Sequence, residues 1–346
     1  MGIQAKIDGT LVTDRVDDLL HQIVTLCHSY DLPVSDDRPA RIEINYEIGT
    51  IRLAPFAKGM SIEIGAGSAP NGFALREFVA NQVEAFDPAL MDGLCWAEKP
   101  VAGGPPPNFR SGYVVSVTDN GPLFQRLVIE CPELSAFARD GLHLRLTLPK
   151  RGNVPIWPHV DDKGRTRWPS GEDALHVAVY TIRDVDPASG RMVIDAFRHG
   201  GAGVTCAWLR KAAPGDPVGI MGPGGGWLPD ARHLVLAGDE TAFPAIFRIL
   251  ENAAPDTVGT VLLEAEETAQ IPDFTAPPGM TIHRLSRQRG ETLEAALHDT
   301  DLGPSGGRHV WFAAEKTRAT AMRQDLRDRR NVAKEESYVA AYWSRE

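Results

Sequence analysis

Three stretches of this chain combine residue types that could do chemistry. The first is Gly238-Asp239-Glu240-Thr241, which follows an apolar run, Leu234 to Ala237, and precedes Pro244 and the helically spaced Ile246, Ile249 and Leu250. The run predicts a buried strand, Gly238 a tight turn and Thr241 a helix cap. Pro244 falls in the first helical turn, where its missing N–H does no harm. A strand, a glycine turn and free helix N–H groups make an anion-friendly place at the strand's C-terminal end. The same pattern also serves as an ordinary βα turn. The second stretch is Tyr180-Thr181-Ile182-Arg183, which brings a flat ring, a hydroxyl and a guanidinium to one strand. Four residues alone read by default as a plain strand with Tyr180 in the core. The third is His199-Gly-Gly-Ala-Gly203-Val204-Thr205-Cys206-Ala-Trp208, where glycines lead into a helix expected from Thr205 to Lys211. Free N–H groups at that helix start can hold a pyrophosphate. No His–carboxylate pair is placed by sequence to activate Cys206, so it reads as a small helix residue and not a nucleophile.

The string Gly238-Asp239-Glu240-Thr241-Ala242-Phe243-Pro244-Ala245-Ile246 resembles the Gly-Asp-Glu-Thr-Ala-Leu-Pro-Ala-Ile signature of siderophore-interacting proteins, with one conservative difference. These are FAD-dependent ferric-siderophore reductases related to ferredoxin–NADP reductase. The likeness runs over the last two thirds of the chain. It implies that Tyr180 offers a flat face to the isoalloxazine and that Thr181, with the backbone toward Ile182, hydrogen-bonds near N5, where hydride arrives. Tyr180 and Thr181 are the catalytic candidates. Arg183 resembles the family's second arginine, a donor for flavin or phosphate oxygens. His199, Gly203 and Trp208 match the family in register. Val204, Thr205 and Cys206 replace Pro-Ala-Ser and complete the expected FAD contacts. Gly238, Asp239, Glu240 and Thr241 would meet NAD(P)H. Arg287, Lys316 and Arg345 are the candidate cations for an anionic siderophore, against the plain reading of solvated surface charge.

The chain also departs from the family. Ala178 stands where the wider family has arginine, which predicts weaker FAD binding. Ala314 and Ala341 replace glycines, and an added methyl could narrow the dinucleotide site. The resemblance implies reduction of a ferric siderophore in the cytoplasm with NAD(P)H and FAD, releasing Fe(II), with ferredoxin as an alternative electron donor. The competing readings are a flavoprotein reductase for flavin, quinone or ferredoxin, and a siderophore-binding protein that has lost FAD.

These residues need elements to position them. Residues 1–98 read as a small α+β domain: a helix over 14–30, three alternating strands at Ile42–Tyr46, Thr50–Leu53 and Met60–Ile64, and a helix over Phe73–Phe86. Its layout is similar to that of a domain of unknown function found ahead of siderophore-interacting proteins. In its first helix, Cys27 falls with the core and His21 and His28 on the other side, so no metal site is expected. The Pro- and Gly-rich stretch 99–108 is the predicted linker. Short strands over 109–229 predict an antiparallel Greek-key β-barrel, the FAD domain. Its long charged excursion, Arg151 to Asp173, needs a reason, and an active-site flap is one. Alternating strands and helices over 230–346 predict a parallel α/β domain for NAD(P)H.

Composition narrows the field. Net charge is −10, which argues against nucleic acid or an anionic membrane as the main partner. No stretch is long and apolar enough to insert in a membrane, and Met1 to Leu20 has no secretory pattern. Cys27, Cys95, Cys131 and Cys206 form no Cys-x-x-Cys pair.

Overall fold

The computed structural model describes residues 3–29, 32–38, 40–46, 48–98, 101–139, 141–198, 203–266 and 270–345. The chain divides into two compact units, Met1–Phe109 with Lys150–Leu175, and Arg110–Pro149 with His176–Glu346.

The first unit is built on an antiparallel sheet. Its strands are β1 (Ala5–Val12), β2 (Val34–Asp37), β3 (Arg41–Tyr46), β4 (Gly49–Phe56), β5 (Gly59–Ala66) and β6 (Leu94–Trp96), in the order β2-β3-β4-β5-β1-β6. Two helices bury apolar faces against it, α1 (Val16–Ser29) and α2 (Ala69–Phe86). Leu19, Leu20, Ile23 and Cys27 of α1 meet Ile42, Ile44, Ile51 and Leu53 of the sheet in one core. Ser68 caps α2, its side chain accepting from Asn71 N. The three strands and two helices expected here are present. The sequence reading lacked β1, β2 and β6.

The second unit opens with β7 (Phe109–Asn120), β8 (Phe124–Glu130) and β9 (His143–Leu148). The chain then leaves for the first unit, where β10 (His159–Val160) pairs with β11 (Thr166–Arg167). This is the excursion for which a flap was one expectation. Within the first unit it is fastened to α2: Arg165 bonds Glu84 at 2.6 Å, Thr166 N donates to Glu77 at 2.8 Å, and Arg76 donates to Gly164 O at 3.1 Å. The Pro/Gly stretch is fastened too, since Gly103 N donates to Val160 O and Val160 N to Gly104 O.

On returning, the chain forms β12 (His176–Thr181), β13 (Asp184–Asp186), β14 (Arg191–Phe197), the short helix α3 (Val204–Leu209) and β15 (Pro217–Gly224). The sheet order is β12-β9-β15-β7-β8-β14-β13. β12 and β13 are two halves of one bent run. The first half pairs with β9 and the second with β14, and Arg183 N donates to Val193 O at 2.9 Å between them. That run closes the sheet into the expected barrel. Leu144, Leu146, Leu148, Ile182, Ile194 and Ile220 fill it, with Trp208 and Leu209 of α3 packed onto the same core.

The rest is a parallel sheet of β16 (His233–Asp239), β17 (Val258–Ala265), β18 (Gly279–Ser286), β19 (Arg308–Glu315) and β20 (Ser337–Trp343), ordered β18-β17-β16-β19-β20. Helix α4 (Phe243–Asn252) buries Phe243, Ile246, Phe247 and Leu250 on one face. Helices α5 (Leu293–His298) and α6 (Lys316–Gln324) cover the other. This is the parallel α/β arrangement expected for the last third of the chain, with helices on both faces of the sheet. Among the described residues, no helix is long and apolar enough to cross a membrane.

Candidate functional site

Side chains alternate along a strand, and the register of β12 on β9 settles which way each points. Tyr180, Ala178 and His176 pair with Leu144, Leu146 and Leu148 and share their barrel side. Thr181, Val179 and Val177 pair with His143, Arg145 and Thr147 on the opposite face. Tyr180 and Thr181 therefore serve two different places.

On the barrel side, the start of α3 gathers Tyr180, His176 and Thr205. His176 Nε2 lies 2.9 Å from Thr205 Oγ1, and the Tyr180 phenol also bonds that hydroxyl. Burial pushes the Tyr180 phenol above its ordinary value, against the opposing effect of Thr205, and pushes the His176 imidazole down. The Tyr180 ring packs on the barrel core and is not laid bare beside Thr181. No side chain caps α3 at Gly203. The N–H groups of Val204, Thr205 and Cys206 have no intrahelical acceptors there. Cys206 is buried, its Sγ 3.4 Å from Phe197 O, as a structural thiol would be. His199, the remaining member of this stretch, lies outside the described residues. Ala178 faces the barrel core opposite Leu146, so an arginine there would start from the barrel side.

On the other face, β12 presents Val177 and Val179, 39% and 65% exposed, beside the nearly buried Thr181. The Thr181 hydroxyl bonds the phenol of Tyr342 from β20. Tyr342 Oη lies 2.6 Å from His143 Nε2, whose Nδ1 is 3.0 Å from Gly225 O. The rings of His143 and Tyr342 meet edge to face at 5.1 Å, and Tyr342 meets Trp311 likewise at 5.9 Å.

Arg183 is placed differently from expectation. Its guanidinium makes two 2.5 Å bonds to Glu251 of α4, with Asp195 at 3.8 Å and the Phe247 ring beneath. A guanidinium matched to a carboxylate in this way ties the barrel to α4 and leaves no cation for phosphate. Arg248, beside it in space, is a buried cation held by backbone carbonyls: Ile182 O at 3.0 Å, Phe137 O at 3.1 Å and Gly141 O at 3.4 Å. Burial lowers its pKa to about 10.

At the C-terminal ends of the parallel strands, Gly238 continues β16, and Asp239 rather than Thr241 caps the turn that follows. Asp239 accepts from Thr241 N at 3.1 Å, Thr241 Oγ1 at 2.5 Å and Trp343 Nε1 at 2.8 Å. Burial pushes its carboxyl up against those donors. Gly238 is required by contact, since a Cβ there would lie 2.5 Å from Ala242 Cβ. Pro244 sits in the first turn of α4, as expected. Glu240 is buried, accepts from Glu266 N at 2.9 Å and pairs with Arg287. Arg287 also bonds Glu264 at 3.2 Å, and Arg318 holds Glu264 and Glu294. The expectation that Arg287 greets an anionic ligand is thus corrected: two buried carboxylates already hold its guanidinium. Lys316 is exposed at the start of α6, and Arg345 lies over the Trp343 ring. The Ala314 methyl is buried in the core beneath α5 and α6 and does not project at a strand end.

Sequence reasoning missed His143, His176, Arg248 and Tyr342. Tyr342 alone carried a signal, in the terminal Ala341-Tyr-Trp-Ser-Arg345.

Two family models match the chain: a siderophore-interacting FAD-binding domain over residues 113–227 and siderophore-interacting protein over 231–346. The chain is 28% identical over 232 residues to the ferric vibriobactin reductase ViuB of Vibrio cholerae, covering 64% of this chain and 83% of that one. It is 27% identical over 173 residues to a ferric acinetobactin reductase of Acinetobacter baumannii, covering 48% and 59%. A siderophore utilization protein from T. fusca superposes with TM-score 0.59 and 29% identity over 71% of this chain and 96% of that one. The siderophore-interacting protein SipS from Aeromonas hydrophila gives 0.57 at 24% identity over 69% and 99%, which shows the shared fold.

The residues fit an FAD. A run of exposed valines on a barrel strand offers an apolar wall to a flat ring. The uncapped start of α3, with Val204 57% exposed, offers backbone donors to phosphate. The barrel and parallel-sheet domains of this chain, residues 113–346, belong to the siderophore-interacting protein family.

Proposed function

We propose that the chain reduces the iron of a ferric siderophore with electrons drawn from NAD(P)H through bound FAD, in the cytoplasm. The observation that carries this reading is the pairing of the two family models with an uncapped helix start and an exposed apolar strand face on one barrel. When bound, FAD accepts a hydride and yields electrons singly, which matches a two-electron donor to Fe(III).

The chain's own residues divide the work. Val204, Thr205 and Cys206 offer N–H groups to the pyrophosphate, with Tyr180 and His176 fixing the Thr205 hydroxyl. Gly203 belongs to the same cradle, and His199 is assigned to the FAD by its resemblance to the family alone. Val177 and Val179 exclude water from one side of the ring, and Thr181 sits at its reactive edge; the Ile182 backbone expected beside it is already engaged, its N–H on Leu142 O and its carbonyl on Arg248. Gly238, Asp239, Glu240 and Thr241 form the floor on which the nicotinamide dinucleotide would lie. Asp239 and Glu240 hold it in shape through Trp343 and Arg287 and do not act as free carboxylates. Lys316 and Arg345 are the cations left for an anionic chelate. Arg345 donates its backbone N–H to Glu315, the neighbour of Lys316, so the two sit together. Ferredoxin is an alternative donor. The proposed functional division is 1–98, a linker at 99–108, 109–229 and 230–346, with 150–175 lying in the first compact unit.

Purified full-length protein, titrated with FAD and followed by flavin fluorescence, then mixed anaerobically with NADH, NADPH and a ferric siderophore, tests the reading. The expected result is saturable FAD binding, bleaching of the flavin by a pyridine nucleotide and its recolouring by the ferric chelate. Recolouring by free flavin or quinone but not by ferric chelates would assign another acceptor. A chain that binds siderophore but no FAD would not be an enzyme of this kind.

A further inference from the structure

The hydrogen bonds joining Thr181, Tyr342, His143 and Gly225 have a direction. His143 Nδ1 faces a backbone carbonyl, Gly225 O, at 3.0 Å. A carbonyl only accepts, so Nδ1 must carry the proton. In a neutral imidazole Nε2 is then a bare lone pair. It lies 2.6 Å from Tyr342 Oη, so the phenol donates its proton to His143. With that proton spent, Tyr342 Oη can only accept from the Thr181 hydroxyl, its other neighbour. His143 is buried, and Arg248 is the charged group that acts on it, so the neutral form is the one the site supports.

Packing fixes the geometry as well as the protons. Thr181 and His143 are register partners on adjacent strands and face the same side. Gly225 has φ +63°, and a Cβ there would lie 2.9 Å from His143 Nδ1. The carbonyl that sets the tautomer is therefore held against the ring by a backbone position that only glycine fills comfortably.

We propose that His143 is a positioning residue: through Tyr342 it locks the Thr181 hydroxyl as a donor toward β20, leaving only oxygen lone pairs for a ligand beside Thr181. Resting on the flavin reading above, Thr181 thereby favours a ring nitrogen that carries hydrogen over one that does not. FAD should bind more tightly in its reduced than in its oxidised form to the extent of this one contact. Removing the lock frees the hydroxyl to donate to the bare nitrogen and erases the preference.

Two measurements test this on the full chain. The imidazole 15N shifts of His143, identified by their loss in His143→Gln, should report a protonated Nδ1 and an unprotonated Nε2. A proton on Nε2 overturns the proposal. The ratio of the dissociation constants for oxidised and reduced FAD should fall about three- to tenfold in Tyr342→Phe and in His143→Phe, the size of one hydrogen bond. The double variant should show no further change, because the residues act as one chain. His143→Gln should keep the wild-type ratio, since its amide can accept from Tyr342 and donate to Gly225. Unchanged ratios in both Phe variants, or additive changes, overturn it. A chain that binds FAD in neither redox state refutes the functional reading, while the imidazole shifts still decide the direction of the chain.

Discussion

Arg287 shows how a residue's partners decide its role. Read as a surface cation it invites an anion, yet its guanidinium lies between Glu240 and Glu264, 4% and 1% exposed. The Glu264 carboxyl is held below its ordinary value despite burial, which would raise it, because Arg318, the Leu293 N–H and Arg287 bond it. Removing Arg287 leaves Glu264 to Arg318 but strips the buried Glu240 of its cation, and breaking a buried pair from one side costs about 3–5 kcal/mol. Arg287→Ala should therefore lower the melting temperature by several degrees. At a temperature where the variant is folded, its KM for a ferric chelate should change less than twofold. Thermal denaturation and steady-state kinetics decide the matter, and an intact melting temperature with a large rise in KM would return Arg287 to the substrate. Thr181 is the opposite case, a small residue proposed for the reactive edge. Thr181→Val should slow flavin reduction by NAD(P)H by about ten- to a hundredfold in stopped flow, with FAD affinity changing much less.

At the level of elements, Arg248 of α4 binds the carbonyls of Ile182, Phe137 and Gly141 and so fixes the barrel end of β12 from outside the barrel. Arg248→Met would orphan those carbonyls, at about 1–3 kcal/mol each for those left unsatisfied. Chemical denaturation should show a lower midpoint, with loss of FAD binding following the loss of structure. Unchanged stability would mean that water replaces the guanidinium. The same elements show what a sequence can yield. β16, β17 and α4 were legible because burial on both faces leaves unbroken apolar runs with turn signals between them. β1 was not, because Ala5 and Gly9 leave only Ile7 and Leu11 as large side chains in its inward row, Lys6 and Asp8 lying on the outer face. β6 is too short to show a period. The placement of Tyr180 and Thr181 on one strand was legible, but not the opposed faces they occupy, since those depend on register with β9. His143 and Tyr342 stand 199 residues apart and meet only once the barrel and parallel sheet have packed.

Across the whole molecule, the chain passes between the two compact units three times, after Phe109, after Pro149 and after Leu175. The first unit is therefore not a detachable N-terminal bead. Removing residues 1–108 would strip Arg76, Glu77 and Glu84 from the excursion they fasten and uncover Val160 and Arg165, both buried against that unit. Such a truncated protein should be cut by trypsin within 150–175 far sooner than the full chain. Replacing that excursion with a short turn should restore resistance. Equal resistance of the truncated and intact proteins would show that the excursion holds its shape alone. The closure of the barrel has its own outcome. One bent run, β12 into β13, is the seam at which the sheet meets itself, and it also bears the residues that would face the cofactor. A seam breathes more readily than an interior ladder, because opening it breaks one line of bonds at a time. A ligand that lies along it taxes every such opening by mass action. The cofactor would then act as a rivet as well as a reagent, and the amides of His176 to Arg183 would record its presence in how slowly they trade hydrogen with solvent.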